Sequence, residues 1–436
     1  MTAPAPPHSQ PARATFAGWL GTAIEYYDFA IYGSAASVLF TRIFFPAADP
    51  VVGTLVSLSS FGVGYVARPL GGLLFGHLGD RVGRKSILVI TLTMMGLSTV
   101  LIGLLPGYSA IGIAAPILLV ILRIVQGISL GGEYSGAALM TVEHAGRGRR
   151  GFFSGLMNTG TAAGMILANV IFLLITRLPE DQLLSWGWRI PFLFSALLVG
   201  VGLLIRLTLR ESPEFAEVKD EGEVRKLPLL EVLQACGGRV LLVTLGTVGA
   251  GIVFTMATVF SLTYGKSELG LSTSGMLGVL LPAALVIMVV IPVYGRLSDR
   301  IGERPLFLAG AASMIGLPFV WFALLNTGNY GLMVLGFALL FAGYSANYAV
   351  FPVFFSQVFP ISLRFSGMSI GFTVGTIAGN AFAPTIGAAL LDSTGGWVLI
   401  AVYMAGAALI SLVAGCFLRE DAPVRESIAR PEVAAG

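Results

Sequence analysis

Runs of about 20 predominantly apolar residues, enough for a helix to cross the hydrocarbon core of a bilayer, recur along almost the whole chain. They lie at 16–40, 53–76, 86–105, 111–140, 151–176, 188–208, 239–264, 275–297, 305–325, 331–355, 365–389 and 396–418. Lipid offers no partner to a bare peptide group, and uninterrupted runs of this length specify helices rather than the alternating strands of a barrel. The composition agrees. The chain is 56% hydrophobic and 11% charged, whereas soluble domains are about 25% charged. The expectation is an all-α membrane protein with twelve transmembrane helices. The first run is expected to stay in the mature protein, because it is too long for a signal peptide, holds two acids and follows a Pro-rich leader with only Arg13.

Alternating the loops between the two sides sorts the 26 Lys and Arg unevenly. Arg42, Arg177, Arg189 and Lys266 fall on one side, Arg68 and Arg123 stay in the membrane, and the others, Arg206 among them, fall opposite. The positive-inside rule then puts both termini in the cytoplasm. Basic residues so explained leave no case for nucleic acid. Cys236 and Cys416, on different spans, predict neither a disulfide nor a metal site. No phosphate loop, nucleophile set or metal cluster stands out, so an enzyme is not expected, nor any cofactor.

The chain repeats itself. Gly76-His77-Leu78-Gly79-Asp80-Arg81-Val82-Gly83-Arg84-Lys85 returns as Gly295-Arg296-Leu297-Ser298-Asp299-Arg300-Ile301-Gly302-Glu303-Arg304, 219 residues on. Phe153-Ser154-Gly155 returns as Phe365-Ser366-Gly367, 212 residues on. Two echoes at nearly one offset argue for duplication into two pseudo-symmetric six-helix bundles with a substrate site between them. The expected division is a cytoplasmic leader at 1–15, bundles at 16–209 and 239–418, a cytoplasmic linker at 210–238 and a cytoplasmic tail at 419–436.

The first bundle carries charge where charge is costly. Each ionisable side chain at the centre of a membrane helix costs about 2.5–3.5 kcal/mol on insertion scales, so it is expected to face protein or a wet path. Glu25 and Asp28, three apart, share a helix face. Arg123, Gln126, Leu130 and Glu133 share another. Arg68 precedes Asp80 by twelve residues, about 18 Å along a helix, too deep to snorkel. Counting Glu25, Asp28 and Glu133 against Arg68 and Arg123 leaves at least one acid without an arginine. Tyr344, Asn347 and Tyr348 form a polar face at i, i+3 and i+4.

The Gly-X-Leu-X-Asp-Arg-X-Gly-Arg-Lys loop between spans two and three, with its weaker copy between spans eight and nine, resembles the major facilitator superfamily. Tyr27-Asp28-Phe29, Arg68-Pro69-Leu70-Gly71-Gly72, Leu122-Arg123-X-X-Gln126-Gly127 with Gly131-Gly132-Glu133, and Ser185 through Phe192 resemble its metabolite:proton symporter family, nearest to shikimate transporters. The likeness is dense over 20–215 and thinner beyond, where Gly343 to Tyr348 departs from it. It implies a proton-coupled secondary active transporter that imports a small anionic metabolite, a shikimate-like or other organic carboxylate, by alternating access. Lipid, substrate and protons are its expected partners. It is expected to work as a monomer in the cell membrane, the cytoplasmic membrane of a prokaryote.

In that scheme Glu25, Asp28, Arg123 and Glu133 couple the proton: substrate carboxylate competes for Arg123 and a freed acid takes a proton. Tyr27, Tyr32, Arg68, Arg123, Gln126, Asn158, Tyr344, Asn347 and Tyr348 are the substrate candidates. Gly76, Asp80, Arg81, Gly83, Arg84 and Lys85, with Asp299, Arg300 and Arg304, are expected to latch the cytoplasmic side, the second copy more weakly because Glu303 replaces a base. Plainer readings stay open: the charges as a structural network, Glu133 as a helix pin, Asn158 and Asn380 as helix glue, His77 as an inter-helix hydrogen-bonding group. A proton-driven exporter of drugs or metabolites and an osmolyte symporter also stay open, the latter weakened by a tail without heptads.

Overall fold

The computed structural model describes residues 10–46, 50–146, 148–209, 211 and 228–419; most of the 210–238 linker, the start of the leader and nearly all of the tail lie outside them. Among the described residues there is no strand. The long helices are α1 Pro11–Val38, α2 Pro50–Val82, α3 Arg84–Leu104, α4 Ala114–His144, α5 Arg150–Ile175 and α6 Arg189–Thr208, then α7 Leu230–Ser267, α8 Thr273–Ile301, α9 Glu303–Leu325, α10 Tyr330–Ser356, α11 Ile361–Thr394 and α12 Val398–Phe417. Ten of these are long and apolar enough to cross a membrane, and α1 and α2 are of similar length but stand outside that set. α1 carries Glu25 and Asp28.

Both copies of the repeated loop make the same turn. α2 passes to α3 through Gly83 (φ 114°), and α8 to α9 through Gly302 (φ 90°). A side chain at either position would be forced into the left-handed region, which glycine enters freely. One residue therefore reverses the chain twice over, at corresponding places.

The helix pairings also repeat. α1 packs on α5 and α6, α2 on α4, and α3 on α4 and α6; α7 packs on α11 and α12, α8 on α10, and α9 on α10 and α12. The two sets meet through α2 against α11 and α5 against α8. Large apolar side chains such as Leu97, Ile113, Leu204, Val289 and Val293 point outward, as lipid-facing residues do. The charges face inward. Glu25, Asp28, Arg68, Arg123, Glu133 and Arg206 are all buried.

Candidate functional site

α1 brings its two acids into the middle of the first helix set. Asp28 accepts from Thr99 Oγ1 of α3 at 2.5 Å, from Ser195 Oγ of α6 at 2.9 Å and from Gln126 Nε2 of α4 at 3.4 Å. Gln126 faces both ways: its Oε1 accepts from Arg123 Nη1 at 2.5 Å while its amide also donates to Thr99 at 2.8 Å. The Arg123 guanidinium lies over Tyr32, 4.0 Å from the ring centroid, and Tyr32 hydrogen-bonds Ser60 at 2.6 Å. One turn away Arg68 Nη2 donates to Glu25 Oε1 at 2.7 Å. Phe29 sits between the two arginines, 4.5 Å from Arg68 and 5.7 Å from Arg123, and Tyr65 lies 4.9 Å from Arg68. Weakly hydrated guanidinium groups stack well on such rings, which steady them without neutralising them.

Glu133 does not share this chamber. Its carboxylate is gripped by both terminal nitrogens of Arg206 from α6, one at 3.0 Å, and accepts from Thr91 at 2.7 Å. Arg206 also donates to the Leu88 carbonyl at 2.5 Å. Arg206 is thus a buried partner rather than a cytoplasmic charge, and the imbalance counted from sequence disappears: three acids sit among three arginines.

At one part of the contact between the halves, rings stand in place of charges. Tyr134 of α4 stands between Phe372 of α11, at 4.1 Å, and Tyr348 of α10, at 6.2 Å, with Tyr344 stacked beyond Tyr348 at 5.1 Å. Asn158 donates to the Tyr348 carbonyl at 2.8 Å and accepts from Tyr134 at 3.3 Å. Tyr26 reaches the Tyr348 hydroxyl and meets Phe254 edge-on. Asn347 turns away from this face and donates to the Phe307 carbonyl of α9 at 2.9 Å. Tyr27 likewise donates to the Pro191 carbonyl at 2.8 Å, tying α1 to α6.

The repeated loops hold the halves together by helix ends. Asp80 accepts from the backbone N–H of Phe365 at 3.3 Å and of Ser366 at 2.9 Å, and from the Ser366 hydroxyl at 2.8 Å. Asp299 accepts from the N–H of Gly151 at 2.8 Å and of Phe152 at 2.9 Å. These amides are the second and third of the α-helical stretches that begin at Arg364, after the opening 3-10 turn of α11, and at Arg150 of α5, whose own preceding residues give no side-chain cap. The free N–H groups and positive dipole of a helix start attract a carboxylate. Each half therefore caps a helix of the other.

Arg84, buried, adds ion pairs to Asp80 at 3.6 Å and to Glu143 at 3.5 Å, and Arg364 joins Glu143 at 3.6 Å. The remaining bases behave differently. Lys85 donates to the Leu207 carbonyl at 3.0 Å and Arg304 to that of Cys416 at 2.5 Å, each within one half. Arg81 and Arg300 are exposed. Arg81 meets His77 of its own helix at 3.4 Å, so that histidine does not bridge helices through this contact. Gly76 lets α2 lie against Ser366, where a Cβ would stand 3.1 Å from the backbone.

A sequence model of the Major Facilitator Superfamily matches residues 18–379 and 289–435. The chain belongs to that superfamily. It is 39% identical over 408 residues to the inner membrane metabolite transport protein YhjE of Escherichia coli K12, covering 91% of this chain and 92% of that one. It is 36% identical over 419 residues to the shikimate transporter of the same organism, covering 95% of each, and 36% over 423 residues to its proline/betaine transporter, covering 94% and 84%. The solved structure of the proton:xylose symporter XylE superposes with a TM-score of 0.73 at 19% identity, over 94% of this chain and 96% of that one, a likeness of fold.

This major facilitator chain groups with the metabolite:proton symporters. It is a metabolite transporter, not an enzyme, and passes the bacterial cytoplasmic membrane several times. Sequence reasoning missed Arg206, Glu143, Phe29, Tyr26, Tyr65, Tyr134 and Phe372. Arg206 and Glu143 lie near helix ends, where a base or acid reads as solvated, and the rings lie in apolar runs where nothing marks them from core.

Proposed function

We propose that this transporter is a proton-coupled importer of a small organic anion, a shikimate-like or other carboxylate, working by alternating access through twelve membrane-spanning helices with both termini in the cytoplasm. The observation that carries the reading is Gln126, whose one amide joins Arg123 to Asp28. An incoming carboxylate takes the place of the neutral Gln126 oxygen on Arg123, since Arg grips a carboxylate bidentately and more strongly than an amide. Engaged with the ligand, Arg123 no longer stabilises ionised Asp28, whose other donors are neutral, so Asp28 takes a proton. Glu25 and Arg68 form a second couple one turn away, open to the same exchange.

Arg123, Gln126, Arg68 and Tyr32 supply the polar side of the substrate site, and Asn158, Tyr344 and Tyr348 the side toward the second half. Asn347 and Tyr27, engaged with backbone carbonyls, are left out. Asp80, Asp299 and Arg84 close the cytoplasmic face. The 36% identity to a shikimate transporter supports a ring-bearing carboxylate. Uptake of labelled shikimate and other carboxylates into proteoliposomes, with and without an inward acid gradient, tests the reading. Accumulation is expected to follow the gradient in wild type and to vanish in Asp28→Asn while exchange of substrate across the membrane persists. Accumulation indifferent to the gradient, or intact in both Asp28→Asn and Glu25→Gln, refutes it.

A further inference from the structure

Gly21, Glu25 and Asp28 occupy i, i+4 and i+7 of α1 and so lie along one face. At each position a carboxylate has an arginine at hand, Arg68 directly for Glu25 and Arg123 through Gln126 for Asp28. At Gly21 the acid arrives from outside: a Cβ there would collide with Glu133 Oε1 and Arg206 Nη2. The missing side chain lets the third carboxylate rest on the α1 backbone at Gly21, one helical turn before Glu25. Glu25 lies within reach of the Glu133 charge. Its Oε2 is buried with no hydrogen-bond partner.

The order of these rungs has a direction. Along α4, Gln126 comes first, then Glu133, then Glu143 of the latch. Glu133 therefore stands between the Asp28 chamber and the face that Asp80 and Asp299 close. The groups around it are Arg206 of α6, Thr91 and the Leu88 carbonyl of α3, and Glu25 of α1.

We infer that Glu133 is the inward station of the proton path and that Arg206 is its positioning residue, an inference that rests on the proton coupling proposed above. Glu25 takes its proton as ligand engages Arg68, by the same exchange as at Asp28; when the latch parts and water enters, that O–H bond breaks and one forms on a Glu133 oxygen. Glu25, again a carboxylate, retakes Arg68. Glu133 then yields its proton to cytoplasmic water and closes on Arg206, whose permanent charge returns it to the ionised form. No electrons change hands.

A buried ion pair that serves only as a clamp tolerates loss of both charges, because no unpaired charge is left behind. The decisive protein is the double variant Glu133→Gln with Arg206→Gln in proteoliposomes. Substrate exchange at equal pH is expected to fall less than threefold, while gradient-driven accumulation and substrate-linked proton uptake, followed with an entrapped pH dye, fall at least tenfold. Accumulation and proton uptake at wild-type levels overturn the inference. Should the double variant not fold, Glu133→Asp, which keeps the charge, is expected to slow gradient-driven uptake at least fivefold with exchange slowed less; equal effects on both overturn it. If wild type itself ignores the gradient, the parent reading of proton coupling fails instead.

Discussion

Replacing Asp80 by Asn should loosen the contact between the halves at the repeated loops while leaving the fold intact. Asp80 is buried and accepts two helix-end amides and a hydroxyl. Asn has nearly the same shape, but its single oxygen serves fewer donors, and its NH2 faces N–H groups it cannot satisfy. A hydrogen bond to a charged group contributes about 1.5–3 kcal/mol and one to a neutral group about 0.5–1.5. The attraction between a carboxylate and a helix start adds about 0.3–1 kcal/mol. Because the amides regain water once the halves part, only part of that sum is lost, about 2–3 kcal/mol. The ratio of closed to open should then fall roughly 30- to 150-fold. Val82 and Ile301, exposed at the ends of α2 and α8, are suited to paired spin labels in a background of Cys236→Ala and Cys416→Ser. Pulsed electron-electron distance measurements should show the short separation of wild type giving way to a longer one in Asp80→Asn. Distance distributions that coincide in the two proteins would refute the capping argument.

Three further outcomes follow from packing and charge. Gly21→Ala drives a methyl between Glu133 and Arg206 and should lower stability by about 1–3 kcal/mol, read as a fall in melting temperature in detergent. Asn347→Ala removes the bond to the Phe307 carbonyl and should cost about 0.6 kcal/mol, at most about 1.7, with the transport KM unchanged; a raised KM would return Asn347 to the substrate site. Arg123→Lys keeps the charge but not the planar fork over Tyr32, and should raise KM at least tenfold in uptake assays.

The parts of this protein legible in its sequence are those set by solvent and by local geometry. Lipid demands long apolar helices, and the left-handed turns at Gly83 and Gly302 demand glycine, so both show as pattern. Glu25, Asp28, Arg68 and Arg123 showed because charge is rare in such a background, and all four are buried close together. What the sequence leaves open is rotation and pairing. Arg206 lies four residues before Arg210 at the end of a span, and only the inward turn of α6 reveals it as the partner of Glu133. Tyr344, Asn347 and Tyr348 share a stripe by spacing, yet the stripe is wide enough for the amide to serve α9 while the Tyr348 ring meets Tyr134 of the first half. Asp80 was readable as a latch residue, but its target lies in the α-helical stretch that begins at Arg364, which no local rule connects to it.

The reciprocal latch has a consequence for how such a carrier keeps its membrane sealed. Since α2 closes off α11 and α8 closes off α5, a rocking motion that frees one end frees the other, and neither half can let go alone without stranding amides in a dry crevice. Partial release is thereby penalised on both sides of the axis at once. Such linkage favours all-or-none opening and guards against slippage, so solute would not leak through a carrier left ajar.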